Sequence, residues 1–279
     1  MIVFLNGRFM PEAEAVVPIN DRGFLYGDGL FETLRVVGGR PFRMAQHLER
    51  LVRGADFLQI PLPHPPREMQ RFAEQLIARN QMPDAILRVM LTRGPGPRGY
   101  LPGQAGPPTL VMTLHETPAL AADAQAVWNL VTSPYRISAA DVFAAFKTTS
   151  KILHVMARAD AHSRGADEAL LVNTNGEAAE TATGNLFWVY QDKICTIPTG
   201  RGVLPGITRA VVLEICQALG LPTNKRVIKP EALRRAAGIF VTQSALGVVP
   251  VSVFDGEPVP LSPLVDQIAC AYQELLVSG

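Results

Sequence analysis

The sequence predicts a mixed α/β protein built as two domains. Short apolar and β-branched runs recur between Gly, Asn and Pro turn signals, the mark of strands. Between them, longer stretches place apolar residues at helical spacing. The length of 279 residues suits one large or two modest domains with ample core. A stretch of small residues, HETPALAADAQ, sets the expected boundary. It gives a first domain over 1–117, a connection over 118–126 and a second domain over 127–279.

In order, residues 2–5 read as a strand, Asn6-Gly7 as a hairpin turn and residues 8–10 as the returning strand. Asp21-Arg22-Gly23 opens a loop that enters LYGDGLFETLRVVGG. Residues 30–37 read as a strand and Gly38-Gly39 as a second hairpin turn. Met44, Leu48, Leu51, Ala55 and Leu58 define a helix over 43–58, with Arg50 near its apolar stripe. A second helix covers 66–80, and strands cover 86–92 and 109–115. The proline- and glycine-rich segment between those strands, GPGPRGYLPGQAGPP, holds Arg98 and Tyr100. Long irregular segments of this kind often serve function.

The second domain begins with a strand over 127–133. A helix over 152–164 ends at Gly165 as a C-terminal cap. Strands over 169–173 and 179–182 flank Thr174-Asn175-Gly176. Strands over 186–190 and 194–197 join across Asp192-Lys193. Gly206 precedes a helix bearing Val211, Val212, Ile215 and Leu219, with Ile207 and Thr208 in its first turn. GIFVTQSALGVVPV reads as a strand followed by a small-residue loop, and a helix carrying Leu264, Ile268, Ala271 and Leu275 closes the chain.

Composition narrows the function. The chain is 48% hydrophobic and 18% charged with a net charge of +1, so no bulk field gathers nucleic acid or a membrane surface. Cys195, Cys216 and Cys270 are scattered and odd in number, which fits a reducing compartment and offers no metal framework. The N-terminal MIVFLNGRFMPEAEA lacks the pattern of a secretory leader, and no apolar run approaches a membrane span. A cytoplasmic protein is expected.

The segment from 143 to 188 carries the chemical signal. Lys147 follows Phe143, Ala144, Ala145 and Phe146. Apolar surroundings lower a lysine pKa and favour the neutral amine that attacks carbonyls. A lysine at a strand end also commonly snorkels to water. Downstream, Glu180 lies on a strand, and the helix start at Ile207-Thr208 offers unpaired N–H groups to an anion, although a threonine there also suits a helix cap. Taken together, a lysine for an aldehyde, a carboxylate for a ring nitrogen, and Arg50, Thr208 and Ser244 for a phosphate describe a pyridoxal phosphate site.

Five segments carry a resemblance over essentially the whole chain: DRGFLYGDGLFETLRV, HLERL, FKTTS, GADEALLVNTNGEAAETATGNLFW and VLPGITR. The chain resembles the class IV aminotransferase family, the fold-type IV pyridoxal 5'-phosphate enzymes. The resemblance implies a small N-terminal α/β domain, a larger C-terminal α/β domain with a barrel-like sheet, and a homodimer acting on a small-molecule amine. It implies that Lys147 is the catalytic Schiff-base lysine and that Glu180 pairs with the pyridine nitrogen. Arg50, Ile207, Thr208 and Ser244 match phosphate-holding positions. Tyr26, Phe31, Arg98 and Tyr100 match positions that face substrate.

Within the family, TRGPGPRGY resembles both the lyase pattern and the D-amino-acid transaminase loop, but Tyr100 stands where the latter has histidine. Phe31 stands where those transaminases have a carboxylate-holding tyrosine, and a phenyl ring donates no hydrogen bond. Ser150-Lys151-Ile152 lacks the tyrosine of branched-chain enzymes. QSALGVVPV resembles the segment of 4-amino-4-deoxychorismate lyase, with Gln243 in place of asparagine. The expected activity is therefore that lyase, with a transaminase of branched-chain amino acids, D-amino acids or (R)-amines as the alternative. A non-catalytic binding protein on this fold is the remote third reading.

Overall fold

The computed structural model describes residues 1–117 and 126–278. Most of the expected connection, 118–125, lies outside the described residues. The described chain divides into two compact units, the first made of Met1–Thr117 with Phe146–Ser150. The second unit takes in the rest. The lysine segment thus belongs with the first unit, although the chain enters the second before reaching it.

The first unit, among the described residues, is a six-stranded sheet with three α-helices. Its strands are β1 (Ile2–Leu5), β2 (Arg8–Pro11), β3 (Gly29–Val37), β4 (Arg40–Pro41), β5 (Ala85–Thr92) and β6 (Thr109–His115), in the order β2-β1-β6-β5-β3-β4. Asn6 and Gly7 both have positive φ between Leu5 and Arg8, which fits the expected two-residue hairpin. The segment expected as loop after Asp21 holds a short helix, α1 (Arg22–Tyr26). The Asp21 carboxylate accepts from the Gly23 N–H at 2.7 Å, and Gly27 ends the helix at φ 66°. A side chain at Gly27 would strike the Ser150 hydroxyl, so glycine here permits a close approach as well as a turn.

Helices α2 (Met44–Leu58) and α3 (Pro66–Asn80) cover one face of the sheet. Along β3, Leu30, Glu32, Leu34 and Val36 are buried towards them, whereas Phe31, Thr33 and Arg35 alternate to the other face. Glu32 is thus a carboxylate on the core face. It is met by α2: Arg50 donates from Nε at 2.8 Å and from Nη2 at 2.7 Å, and His47 Nδ1 lies at 2.7 Å. Burial pushes the Glu32 carboxyl up, but the hydrogen bonds and charges of Arg50 and His47 outweigh it and hold it at about 2. The arginine near the stripe's edge is therefore buried, satisfied by a carboxylate.

The second unit is a nine-stranded sheet with four helices among the described residues. In chain order it contains β7 (Trp128–Ile137), α4 (Ile152–Ser163), β8 (Glu168–Asn173), β9 (Ala178–Thr181), β10 (Asn185–Tyr190), β11 (Lys193–Thr196) and α5 (Ile207–Ala218). There follow β12 (Thr223–Lys225), α6 (Pro230–Leu233), β13 (Gly238–Gln243), β14 (Gly247–Phe254), β15 (Glu257–Pro258) and α7 (Pro263–Ser278). The order β10-β13-β14-β7-β8-β9 returns to β10 through the pairing of Glu180 with Asn185, so the sheet closes like a barrel. Closure explains the continuous burial of β8, β9 and β10 up to Val189, whose residues face covered surfaces on both sides.

Two sequence expectations change here. The turn between β10 and β11 is Gln191-Asp192, both at positive φ, because Tyr190 pairs with Lys193. The segment after Gln243 is a tight hairpin into β14: Gln243 pairs with Gly247, and Ser244, Ala245 and Leu246 form the tip. Gly247 has φ 74° and a Cβ there would lie 2.4 Å from the Tyr272 ring, so the hairpin admits only glycine.

The Glu32 cluster yields a stability prediction. A carboxyl lowered from 4.5 to about 2 on folding adds stability that is complete above the unfolded value and disappears as the pH falls towards 2. The full effect is roughly 3 kcal/mol. Replacing Glu32 by Gln leaves Arg50 buried without its counter-charge and should cost about 3–5 kcal/mol at neutral pH. Urea unfolding at a series of pH values should show the variant losing less stability on acidification than the wild type.

Candidate functional site

The candidate residues fall into two sets, one in each unit. In the first unit the set begins with a strand addition. β4 pairs only with the far end of β3, at Val36 and Val37, so the near half of that edge is open. Residues 147–149 occupy it: the Phe31 N–H donates to the Lys147 carbonyl at 2.9 Å, the Thr149 N–H donates to the Gly29 carbonyl at 2.9 Å, and Leu30 bridges Thr148 in antiparallel sense. Thr149 also donates its hydroxyl to the Gly27 carbonyl at 2.7 Å. This register sets Lys147 opposite Phe31, with both side chains on one face. The Lys147 ammonium lies 4.6 Å from the Phe31 ring centroid. Within this unit Phe31 supplies the amine with an apolar neighbour.

The charge of Lys147 reaches the core-face cluster as well. Burial lowers the pKa of His47, Glu32 raises it, and Arg50 and Lys147 lower it again, leaving it below the ordinary histidine value. Neutral His47 can donate one N–H to Glu32 without adding a second cation beside Arg50.

Arg88 was not among the residues singled out in the sequence. It sits on β5 two residues from Met90, the direct partner of Phe31, and so shares Phe31's face. Its guanidinium carbon lies 4.3 Å from the Phe31 centroid. The side chain is partly buried, and it makes no hydrogen bond or ion pair among the described residues. Burial alone pulls its pKa down. An arginine in the middle of AILRVMLT, out of phase with the core-facing Leu87, Val89 and Leu91, is the signal that could have found it. Phe31 therefore carries a lysine and an arginine on its ring, and the Arg88 guanidinium is suited to a carboxylate.

Tyr26 and Tyr100 stand together, their rings 5.5 Å apart, and the Gly99 N–H donates to the Tyr26 hydroxyl at 2.9 Å. Tyr100 is 86% exposed. Arg98 is exposed too, and its guanidinium has no hydrogen bond or ion pair among the described residues.

In the second unit Glu180 lies at the barrel closure, nearly buried. Its Oε2 accepts from the Leu204 N–H at 2.8 Å and more weakly from Asn185 Nδ2 at 3.4 Å. Among the described residues its Oε1 meets only His154 Nε2, at 3.6 Å, beyond a good hydrogen bond. One carboxylate oxygen is thus held and the other keeps acceptor capacity. Two orphaned buried atoms lie nearby in the same framework: His154 Nδ1, and Oγ1 of Thr242, the direct partner of Asn185 on β13. Gly206 caps α5 without a side chain, placing Ile207 and Thr208 in the first turn, so Thr208 is not the cap. The hydroxyls of Thr208 and Ser244 make no hydrogen bond among the described residues. A Cβ at Gly206 would fall 2.0 Å from Asn185 Oδ1, which ties the helix start to the Glu180 support.

Tested against pyridoxal 5'-phosphate, the residues fit. Glu180 has an oxygen suited to a pyridinium N–H, α5 offers uncapped N–H groups and a buried hydroxyl to a phosphate, and Lys147 offers an amine on an apolar ring. Arg50 fits less directly, because its Nε and Nη2 are committed to Glu32. No group of His, Cys, Asp and Glu among the described residues could hold a metal ion. None of the described helices is long and apolar enough to cross a membrane.

Comparison with known proteins agrees with this chemistry. The family model for class IV amino-transferases matches residues 29–254. A Methanocaldococcus jannaschii protein provisionally named branched-chain-amino-acid aminotransferase is 32% identical over 92% of this chain and 88% of its own. The D-alanine aminotransferase of Bacillus licheniformis is 29% identical over 100% of this chain and 98% of its own. Among solved structures, the T.th. branched-chain amino acid aminotransferase with pyridoxamine 5'-phosphate superposes with a TM-score of 0.93 at 27% identity, covering 99% of this chain and 94% of that one. A Legionella pneumophila protein provisionally named 4-amino-4-deoxychorismate lyase gives 0.87 at 26% identity, covering 95% and 97%. The fold is that of the fold-type IV enzymes and the cofactor is pyridoxal 5'-phosphate. The chain belongs to the class IV aminotransferase family.

Proposed function

We propose that this protein acts on an amine bearing more than one carboxylate, and that within its family it is a 4-amino-4-deoxychorismate lyase, releasing 4-aminobenzoate and pyruvate. The observation that carries this reading is the face shared by Lys147, Phe31 and Arg88: an amine and a guanidinium with no hydrogen bond or ion pair among the described residues, on a ring that cannot itself hold a carboxylate. The lyase substrate carries two carboxylates, one on the ring and one on the enolpyruvyl group. Arg88 and exposed Arg98 are two cations available to them.

Bound pyridoxal 5'-phosphate supplies an aldehyde for a primary amine and a ring that draws electrons from the carbon bearing it. Lys147 would hold that aldehyde at rest. Displaced by the substrate amine, its side chain would take the proton from the substrate carbon and later return one to the departing group. Glu180, with Oε2 held by the Leu204 N–H, would keep Oε1 for the pyridine nitrogen and maintain its proton. Ile207, Thr208 and Ser244 would hold the phosphate, joined by Arg50. Tyr26, Phe31, Arg98 and Tyr100, with Arg88, would face the substrate. A homodimer in the cytoplasm accompanies this reading.

Amino transfer is the second reading, favoured by the names of the relatives at 32% and 29% identity, both aminotransferases. It uses the same residues for the cofactor and differs in the fate of the substrate carbon. Purified protein incubated with aminodeoxychorismate should form 4-aminobenzoate. Rapid turnover of D-alanine or leucine against a keto acid, with no aminobenzoate, would sink the lyase reading in favour of transfer. Lys147→Ala should abolish turnover together with the visible absorbance of the loaded protein.

Two variants probe the supporting geometry. Arg88→Ala removes a charge-assisted contact and should raise KM about 10- to 100-fold while cofactor uptake stays unchanged. Gly206→Ala pushes on Asn185 and should weaken cofactor affinity about tenfold or more, measured by equilibrium dialysis against pyridoxal 5'-phosphate.

A further inference from the structure

The connection from 93 to 108 is rich in glycine and proline, yet it is held at both ends and in the middle by one dipeptide. Asp21 is fully buried. One carboxylate oxygen caps α1, and the other accepts from the Thr92 hydroxyl at 2.9 Å and the Thr109 hydroxyl at 2.7 Å. Thr92 is the last residue before the connection and Thr109 the first after it. The neighbouring Arg22, 3% exposed, crosses to the centre. It donates from Nη1 to the Gly99 carbonyl at 2.8 Å and from Nη2 to the Tyr100 carbonyl at 3.1 Å. Its Nε donates to Asp28 Oδ2 at 2.9 Å, and its guanidinium lies 5.0 Å from the Tyr26 ring centroid.

Asp28 completes a bracket. Arg93 pairs with both its oxygens, at 2.7 and 3.0 Å, and donates to the Leu58 and Gln59 carbonyls at the end of α2. Burial raises the Asp28 pKa, but the bonds and charges of Arg93 and Arg22 outweigh it and leave it lowered. An unbroken polar chain therefore runs from the end of α2 through Arg93, Asp28 and Arg22 to the backbone on either side of the Gly99–Tyr100 peptide. Arg98 projects from that fixed backbone as a guanidinium without a partner among the described residues. A cation presented without the entropy cost of ordering its loop binds an anion more tightly.

We propose that Arg22 is a positioning residue for substrate recognition: through the Gly99 and Tyr100 carbonyls it fixes the backbone that presents Arg98 to a substrate carboxylate. This deepens the functional reading above and rests on it for the identity of the ligand, while the anchoring itself does not. Arginine is required because three acceptors in three directions need a planar fork. A lysine keeps the charge opposite Asp28 but cannot reach the two carbonyls at once.

The test is Arg22→Lys in the cofactor-loaded full chain, with Tyr26→Phe as a second variant that removes only the hydroxyl accepting from the Gly99 N–H. Limited trypsin digestion with mass mapping reads the anchoring directly, because cleavage after Arg98 follows local opening of its backbone. Losing bonds from a charged donor should speed that cleavage about tenfold or more in Arg22→Lys, with a smaller rise in Tyr26→Phe, while cleavage elsewhere is unchanged. Steady-state kinetics on whichever amine the wild type turns over should show KM raised about tenfold with kcat within about threefold. A cleavage rate after Arg98 equal to the wild type's, or a fall in kcat with KM unchanged, would overturn the proposal. If aminodeoxychorismate is not turned over but an amino donor is, the lyase reading fails while both measurements still decide the role of Arg22.

Discussion

Two backbone hydrogen bonds govern the first unit's chemistry: Phe31 N–H to the Lys147 carbonyl, and Thr149 N–H to the Gly29 carbonyl. A lysine more than a hundred positions along the chain becomes the cross-strand neighbour of Phe31 because β3 leaves half an edge unpaired. The open edge is itself a consequence of the Gly38-Gly39 hairpin, whose return strand is only Arg40–Pro41. Added strands of this kind fix register through the backbone, so the amine's position does not rely on side-chain packing alone.

The period-two alternation of β3 then sorts the charges. Phe31 turns to the face with Lys147 and Arg88, while Glu32, one residue on, turns to the core with Arg50 and His47. Were the strand slipped by one residue, a carboxylate would stand beside Lys147 and neutralise it, and a phenyl ring would face a buried arginine. The lowered pKa of His47 belongs to the same arrangement, since burial and the charges of Arg50 and Lys147 all disfavour a protonated imidazole there.

The elements were legible because their patterns are local. The helix over 66–80 matches its sequence boundaries, and both two-residue turns of the first unit fall on Asn6-Gly7 and Gly38-Gly39. Features that depend on long-range pairing escaped. The place of Lys147 beside Phe31 is invisible in FKTTS, since nothing in five residues states which edge they will join. The GVVPV segment reads as part of a small-residue loop, yet Pro250 lies in β14 opposite Phe240. Arg88 escaped for a different reason: a single arginine in an apolar strand resembles a solvated edge until its neighbours are known. Arg22 reads only as part of the opening of a loop, and its three acceptors lie 6, 77 and 78 positions away.

The division of labour among these residues explains why family membership is clear while the reaction is the harder question. Lys147, Glu180 and the start of α5 suit the cofactor, and any reaction beginning with removal of a proton beside an amine needs them equally. What differs is how many anionic groups must be gripped and for how long. Amino transfer passes two substrates through one site in turn, so its carboxylate grip must also release. A lyase acting on a dicarboxylate can engage two cations at once and lose one anchor when its product fragment departs. On the proposed reading, a guanidinium on a rigid strand, Arg88, and another on a loop braced by Arg22 and Asp21, Arg98, would make two grips with different mechanical support. That asymmetry suits a substrate that breaks in two, because the fragments can leave from sites that open independently.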